Sequence, residues 1–459
     1  MLPITVLLAF DIRLGFIRST TSTGSPATLN TYTGTHIMAI MNAHQQVFAL
    51  SLMSNLAQEY KGTQENLQSA LEAQLPLVLS QLAGEWRIVW GPVVWKENPK
   101  DKTTGPDHVW FVARNPQLEF ANGQKQDTYV IAIAATATEY NWLTNNAGVT
   151  RVVDFNQWVS GGIATPPKVA DTTTSTPGTA FISYGTALGV YRLASVAPPI
   201  SAAGRNLPLS KFWADFPSSQ AAKVIVTGHS LGGALSPALA LGLLESRAFT
   251  KFSPQNILTY PTAGPSPGNL DFSKLFSNRF PRVPQPVDGK GYEVWNCNIV
   301  NLLDIVSQAW CTSKTASPDQ NLSNIPTIYG PEISSVRTGV RIASIMASVS
   351  QIRYFPLQAQ QFKADPPVTT PSSLEEFMGA ARHQHVEAFV KLFNITIPQA
   401  RVLTGTEHGI QQMATGNIAT LELDTRVPVI AEIAFDFDQL ANYKEGPEIG
   451  CSEITFVNM

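Results

Sequence analysis

The sequence predicts an α/β protein with a mostly parallel central sheet, and two features of its hydrophobic pattern support this. Short β-rich segments, some of them almost free of polar residues, alternate with segments of helical periodicity. Uninterrupted apolar strands are typical of a sheet that helices cover on both faces. With 44% hydrophobic and 14% charged residues and a net charge of −3, the composition excludes a disordered or coiled-coil protein. It also gives no sign of a nucleic-acid partner.

Two helices are predicted ahead of the sheet. Apolar residues recur at helical spacing within 38–60, and a second such pattern covers 63–82. Thr63 and Asn66 are candidate caps for the second helix, and Gly84 is its stop signal. The preceding residues, 19–35, are rich in Thr, Ser and Gly and are predicted to form an arm.

Strands are predicted wherever β-branched and apolar residues form short runs between Gly, Pro and Asn. The strand over 223–227 continues into small residues and then a helix from about Leu231 to Ser246, which is the strand, turn and helix order of an α/β sheet. Between Gly161 and Gly178 a Thr/Pro-rich stretch predicts an exposed loop or lid. The predicted strands cover 86–94, 108–113, 129–135, 223–227, 256–260 and 293–300.

The turn after the strand 223–227 has the sequence GHSLGG, which fits the G-x-S-x-G nucleophile elbow. In such an elbow the serine, here Ser230, adopts a strained backbone that exposes its Oγ, so its neighbours must lack a clashing Cβ. Gly228 and Gly232 meet this need, and His229 precedes the serine. The bare pattern arises by chance in roughly one chain in seven of this length. The flanking strand and helix therefore decide in favour of an elbow over a glycine-rich structural turn.

The segment VIVTGHSLGGALSPALA resembles the elbow of class 3 (fungal triacylglycerol) lipases, which have the α/β-hydrolase fold. The resemblance covers about residues 85–395. It implies a mostly parallel central sheet flanked by helices, with N-terminal helical and C-terminal extensions. The implied organisation is an arm and helical extension over 1–84, a catalytic domain over 85–397 with a lid region at about 141–178, and a C-terminal extension over 398–459 packed on the same domain.

An oxyanion hole is implied by the same resemblance. YVIAIAATATEYNW, residues 129–142, is similar to the family's strand, oxyanion loop and lid hinge. The backbone N–H and hydroxyl of Thr136, together with the N–H of Leu231, would then hold the oxygen of the tetrahedral intermediate. Ala134 and Ala135 stand where the family has Arg-Gly, a difference that concerns the anchoring of the loop more than the chemistry.

The acid of a catalytic triad is implied by NLLDIVSQ, residues 301–308, which resembles the family's Asp-Ile-Val-Pro loop and has Ser307 in place of proline. The resemblance assigns this role to Asp304. The order of nucleophile, acid and base along the chain is that of α/β-hydrolases. On spacing alone, Asp271 and Asp288 remain alternatives.

The base must follow the acid, and the histidines that do so are His383, His385 and His408. QHVEAFVKL resembles the family's terminal Gln-His motif with an aromatic residue four positions on, here Phe389, which implies that His385 is the base and leaves His383 in reserve. Two histidines two positions apart could chelate zinc on a strand. The surrounding pattern is helical and directs them to different faces, so we predict no metal and no cofactor.

The implied function is a serine carboxylic ester hydrolase, in the first place a lipase that cleaves acylglycerols or other lipid esters through an acyl-enzyme. An esterase or phospholipase acting on non-triglyceride esters remains an alternative. The shape of the substrate pocket decides between these substrates, and the motifs do not reveal it. A lipase-like binding or signalling protein without activity is the alternative of another class, suggested by Ala134 and Ala135. Trp142 and Trp158 in the lid region suit contact with a lipid–water interface, but aromatic residues near a hinge are more often core residues, so both readings stay open.

The compartment and the oligomeric state stay open at this point. No stretch reaches the 18 apolar residues of a transmembrane segment. The apolar run from Leu2 to Phe10 has no basic residue before it, so it is a poor signal peptide, and cytoplasmic and secreted locations both remain. Cys297 and Cys311 could pair across a short loop.

Overall fold

A computed structural model describes residues 41–58, 60–135, 148–217, 219–284 and 289–396 of the chain. The predictions made for the arm before residue 41, for Thr136 and Trp142 and for the C-terminal extension over 398–459 lie outside these residues. Asp288 and His408 lie outside them as well.

The described residues alternate between helices and strands. The helices are α1 (Ala43–Met53), α2 (Gln64–Leu79), α3 (Phe155–Ser160), α4 (Tyr184–Ser195), α5 (Leu209–Ala214), α6 (Leu231–Glu245), α7 (Leu270–Arg279), α8 (Ser334–Val349), α9 (Leu374–Arg382) and α10 (Ala388–Phe393). Short 3₁₀ turns cover Thr172–Thr174, Pro254–Asn256 and Leu322–Thr327, and a π-helical turn covers His383–Glu387. The strands are β1 (Arg87–Trp95), β2 (His108–Glu119), β3 (Lys125–Ile133), β4 (Val152–Asp154), β5 (Phe181–Ser183), β6 (Lys223–His229), β7 (Ile257–Thr262), β8 (Gly268–Asn269), β9 (Asn298–Asn301), β10 (Tyr354–Phe355) and β11 (Ala359–Phe362).

The main sheet has seven strands in the order β1-β2-β3-β6-β7-β9-β11. The first three strands pair antiparallel because short connections join them, whereas β3, β6, β7, β9 and β11 pair in parallel. Ile131 of β3 lies opposite Val226 of β6, which lies opposite Thr259 of β7. The predicted α/β fold with a mixed, mostly parallel central sheet and flanking helices is confirmed. A smaller sheet, in the order β10-β8-β5-β4, lies apart from it.

Both faces of the main sheet are covered, as the apolar run of β6 predicts. Val224 and Val226 pack into the cluster that contains α4, α5 and α6, while Ile225 points to the opposite cluster with α1, α2 and α10. This alternation is the period of two that any strand imposes on its side chains. A third apolar cluster joins α8 and α9 to the loop that follows β9. Ser230 and Asp304 follow the carboxyl ends of β6 and β9, the edge where sites form in open α/β sheets.

Helix α1 is a core element. Every one of its residues is buried, including polar ones. Asn42 caps the helix, Gln45 donates its side-chain N–H to the carbonyl of Phe393 at 2.7 Å, and Gln46 accepts the indole N–H of Trp86 at 2.8 Å. Because each of these buried amides is hydrogen-bonded, a polar helix can lie inside the apolar cluster that covers the sheet.

The stretch from α3 towards β5 divides into a buried and an exposed part. Phe155 is fully buried and Trp158 is 6% exposed, and both belong to the apolar cluster around α6. Ile163 packs closely against Gly242 of α6. A Cβ added at Gly242 would lie 2.3 Å from Cδ1 of Ile163. The residues from 164 to 179 are largely exposed. The aromatic residues of this stretch that the structure describes are therefore core residues, and polar and small residues form its surface.

Cys297 and Cys311 are free thiols, so the suggested pairing between them is wrong. Both side chains are buried. Burial disfavours the thiolate and raises the pKa of Cys297 to about 11, which leaves it as an inert apolar residue of the core.

Candidate active site

The turn between β6 and α6 holds Ser230 in a strained conformation, with φ 60° and ψ −120°. Such a backbone is unfavourable for a residue with a side chain and is typical of nucleophile elbows. Two hydrogen bonds fix it: the N–H of Ser230 donates to the carbonyl of Thr262 at 3.0 Å, and the carbonyl of Ser230 accepts from Gly233 at 2.8 Å. The neighbouring strand and the first turn of the helix thus hold Ser230 in place.

The glycines of the turn are required for space. An added Cβ on Gly228 would lie 2.4 Å from the carbonyl oxygen of Gly232, and one on Gly232 would lie 2.4 Å from the carbonyl oxygen of Ile133. Both contacts are with backbone atoms, which cannot rotate away as a side chain could. The elbow can therefore pack against the end of β3 only if these positions carry no side chain.

The substitution Gly228→Ala is expected to destabilise the fold by about 3 kcal/mol, because the new methyl group must displace backbone. Gly379→Ala is the matched control. It lies inside α9 with no atom within 4 Å of the added Cβ, so it should stabilise the protein by up to about 1 kcal/mol. Urea unfolding of both variants measures the difference, and equal midpoints would contradict the steric account.

Asp304 and His385 form a buried pair at the carboxyl end of the sheet. The Nδ1 atom of His385 lies 3.0 Å from Oδ2 of Asp304, and the two side chains are 2% and 0% exposed. This distance is within the range of an ion pair, but the angle of the Nδ1–H bond towards Oδ2 does not meet the criteria for a hydrogen bond. Contacts between catalytic groups often tighten only when substrate binds. Asp271, the alternative that the structure describes, lies instead at the start of α7, 3.9 Å from Lys274.

The carboxylate of Asp304 has two further donors. Its Oδ1 accepts the backbone N–H of Val306 at 2.9 Å, and its Oδ2 accepts the hydroxyl of Ser307 at 2.8 Å. These bonds fix the plane of the carboxylate and direct Oδ2 towards His385. Ser307 replaces the proline usual in the resembling loop, and its hydroxyl adds a donor that proline lacks.

His385 lies in the π-helical turn His383–Glu387 between α9 and α10. A π turn inserts one residue into a helix and is frequent at functional sites. His385 lies within a continuous helical run, as the helical pattern of the surrounding sequence predicts. His383 faces elsewhere, with a side chain 61% exposed and its Nδ1 3.7 Å from Glu387. Within the described ranges, no three His, Cys, Asp or Glu side chains gather as a metal-binding group.

His229 connects the elbow to His385. Its Nε2 lies 2.9 Å from the backbone carbonyl of His385, and its Nδ1 lies 2.9 Å from Oγ1 of Thr262. A carbonyl only accepts, so Nε2 carries the proton and Nδ1 accepts from the hydroxyl. Burial, together with the nearby His385, lowers the pKa of His229 well below its usual value. The sequence indicated His229 only as a neighbour of the serine; its bond to His385 spans 156 positions and had no local signal.

The substitution His229→Phe is expected to lower kcat about tenfold and the free energy of unfolding by about 2 kcal/mol, because the buried carbonyl of His385 loses its donor. Thr262→Val serves as the comparison. It removes the partner on Nδ1 and leaves the bond to His385, so kcat should fall less. Ester kinetics with urea unfolding measure both effects. Equal kcat in wild type and His229→Phe would show that this bond does not position His385.

Leu231, the nearer of the two oxyanion candidates, begins α6 directly after Ser230. The first N–H groups of a helix have no acceptor within it, and the helix dipole favours negative charge there. The N–H of Leu231 therefore suits an oxyanion that forms beside Ser230. Thr136, the second candidate, lies outside the described residues, which end at Ala135 on this side of the loop.

Comparison with known proteins agrees with this geometry. Residues 208–312 match the family Lipase (class 3). The crystal structure of M37 lipase superposes with a TM-score of 0.57 at 24% identity, covering 77% of this chain and 92% of that one. A lipase from Rhizopus microsporus var. chinensis is 16% identical over 63% of this chain and 79% of its own, with a TM-score of 0.31. The structure of a fungal lipase–inhibitor complex is 17% identical, covers 58% of this chain and 74% of that one, and has a TM-score of 0.33. No curated protein matches the sequence.

The TM-scores of the two fungal structures are too low to support an argument, so the likeness in fold rests on M37 lipase. The matched segment contains Ser230 and Asp304, while His385 follows it. Residues 208–312 thus match the class 3 lipase family, within a chain that has a lipase-like α/β fold.

Proposed function

We propose that this protein is a serine carboxylic ester hydrolase that acts on lipid esters. The observation that carries the proposal is the buried 3.0 Å contact between Asp304 and His385, which the side chain of His229 links to the elbow of Ser230. A nucleophile on a strained turn, a histidine and a buried carboxylate are the components of serine ester hydrolysis. Membership of a lipase family makes a lipid ester the first substrate to test.

In the proposed reaction, Ser230 Oγ attacks the ester carbonyl while Nε2 of His385 takes the hydroxyl proton. Asp304, close to Nδ1, keeps the proton of the neutral ring on that nitrogen and stabilises the imidazolium that forms. His385 then returns the proton to the leaving alcohol as the C–O bond breaks. Water attacks the acyl-enzyme by the same route, which releases the acid and regenerates Ser230. The N–H of Leu231 and the proposed donor Thr136 would stabilise the two oxyanions.

These steps need only side chains, backbone donors and water. Proton transfer within the triad generates the nucleophile, a task that a metal ion or cofactor performs in other hydrolases. No helix in the part of the chain that the structure describes is long and apolar enough to cross a membrane. A lid region at about 141–178 is part of the proposal.

Turnover of p-nitrophenyl esters from acetyl to palmitoyl tests this proposal, with Ser230→Ala as the background control. A lipase should show kcat/KM that rises towards long acyl chains, because a longer chain buries more apolar surface in an acyl groove. Preference for acetyl and butyryl esters would instead indicate an esterase for small substrates. If no ester is hydrolysed above the Ser230→Ala background, the binding-protein alternative replaces the proposal.

A further inference from the structure

We propose that Asn55 and Gln58, from the turn after α1, are positioning residues that anchor the oxyanion loop. Two hydrogen bonds support this proposal. The N–H of Ala135 donates to Oδ1 of Asn55 at 2.7 Å, and Nε2 of Gln58 donates to the carbonyl of Ala135 at 2.8 Å. Both polar groups of one residue, directly before Thr136, are thus held by side chains from the helical extension. The role rests on the proposed function.

The two side chains are themselves rigidly placed. Asn55 is 1% exposed, and its Nδ2 donates to the carbonyls of Ser51 at 3.0 Å and Leu52 at 3.2 Å. Those carbonyls belong to the last turn of α1, and the carbonyl of Leu52 also accepts the backbone N–H of Asn55 at 3.0 Å. With Nδ2 committed to the helix end, Oδ1 must point at Ala135. The backbone N–H of Gln58 donates to the carbonyl of Asn55 at 2.9 Å, which joins both residues in one compact turn.

The need for an external anchor follows from the residues of the loop. Ala134 and Ala135 carry only methyl groups where the resembling family has Arg-Gly, so no side chain here can tie the loop to the protein. Ala134 is fixed through its N–H, which donates to the carbonyl of Val109 at 2.9 Å. Ala135 lies beyond the end of β3, and Asn55 and Gln58 satisfy its two backbone groups. The helical extension thus supplies the anchor that the side chains of Ala134 and Ala135 cannot provide.

The hydrogen bond from Gln58 to the carbonyl of Ala135 affects the orientation of the proposed oxyanion donor. In a trans peptide group the carbonyl and the following N–H point in opposite directions. Holding the oxygen of Ala135 would therefore orient the N–H that we propose as donor at Thr136. An oxyanion hole works only if its donors are aimed in advance, and sub-ångström errors matter.

The test compares Gln58→Met with the matched control Gln45→Met. Gln45 also comes from the buried extension, and its side-chain N–H also donates to a backbone carbonyl, that of Phe393 at 2.7 Å. Both variants lose a bond to a backbone carbonyl, and Gln45→Met also loses the bond in which Oε1 of Gln45 accepts the backbone N–H of Asn42 at 2.8 Å. Gln58→Met should therefore lose no more stability in urea unfolding than Gln45→Met. Gln58→Met should in addition lower kcat about 10- to 100-fold at unchanged KM, less than the loss of an oxyanion donor itself. Gln45→Met should retain kcat near that of wild type.

Inhibition supplies a second readout that a merely structural role would not move. A trifluoromethyl ketone with a long alkyl chain adds to the nucleophile and places an oxyanion in the hole. Its Ki should rise in Gln58→Met by the factor by which kcat/KM falls, as expected for a transition-state analogue. Asn55→Asp should retain more kcat than Asn55→Leu, because a neutral carboxyl can still accept from Ala135 and donate to Ser51.

Two results would overturn this role, and they are distinguishable. If wild type hydrolyses esters through Ser230 but Gln58→Met and Gln45→Met have equal kcat and Ki, the extension does not position the oxyanion loop. If wild type itself hydrolyses no ester, the proposed function fails, and the positioning role fails with it.

Discussion

Replacement of Ser230 by alanine is expected to lower kcat for the preferred ester by about 10⁵-fold, the size of effect that loss of a triad nucleophile has in serine hydrolases. The reason is chemical, since without Oγ no acyl-enzyme can form. Alanine also fits the same strained backbone with a smaller side chain, so the free energy of unfolding should stay close to that of wild type. Initial rates with the p-nitrophenyl esters, alongside urea unfolding, measure both quantities.

Ser236→Ala is the matched control for this variant. Ser236 lies in the helix that follows the elbow, is fully buried, and its hydroxyl has no hydrogen-bond partner. Its loss removes an unsatisfied polar group and should leave kcat unchanged. If Ser230→Ala retained more than a tenth of wild-type kcat while Ser236→Ala lost it, the nucleophile would have been misassigned.

Asp304→Asn is expected to lower kcat by about 10⁴-fold with little change in KM. An amide has nearly the shape of the carboxylate, so asparagine can occupy the same place in the loop. It lacks the negative charge that stabilises the imidazolium of His385. Turning its NH₂ group towards Nδ1 would also favour the tautomer in which Nε2 carries the proton and cannot act as base. Steady-state kinetics on the same ester series measure the loss.

Asp271→Asn is the comparison variant for this prediction. Asp271 lies at the start of α7 beside Lys274, on the protein surface, and surface ion pairs contribute little. Kinetics of Asp271→Asn should match wild type. Equal kcat in wild type and Asp304→Asn would remove Asp304 from the triad and leave His385 without an acid.

Much of the fold and part of the site could be predicted because their signals are local. The apolar run of β6 requires a covered sheet, and the GHSLGG turn combines strand, glycines and serine within a few positions. The second helix, predicted within 63–82 with Thr63 or Asn66 as its cap, is found as Gln64–Leu79 with Thr63 as the cap. In these elements the backbone conformation follows from neighbouring residues, so periodicity and capping suffice.

The remaining features depend on contacts between distant segments. Asn55 and Ala135 are 80 positions apart and meet only because α1 packs on the sheet face next to β3. The π turn at His385 has no composition signal, since its residues also fit an ordinary α-helix. Trp158 lies in the predicted lid region, where the sequence leaves open whether it faces an interface or the core, and the structure buries it against α6. Burial of this kind depends on tertiary packing and cannot be derived from local sequence.

The most direct test of the central claim is to label the protein with a fluorophosphonate and map the adduct by mass spectrometry. This reagent captures a serine only if a base activates its hydroxyl and a hole accepts the phosphonyl oxygen. The account predicts one adduct, on Ser230, formed at a rate that falls in Asp304→Asn and absent from Ser230→Ala. An adduct on another serine, or no adduct in a protein that hydrolyses esters, would contradict it.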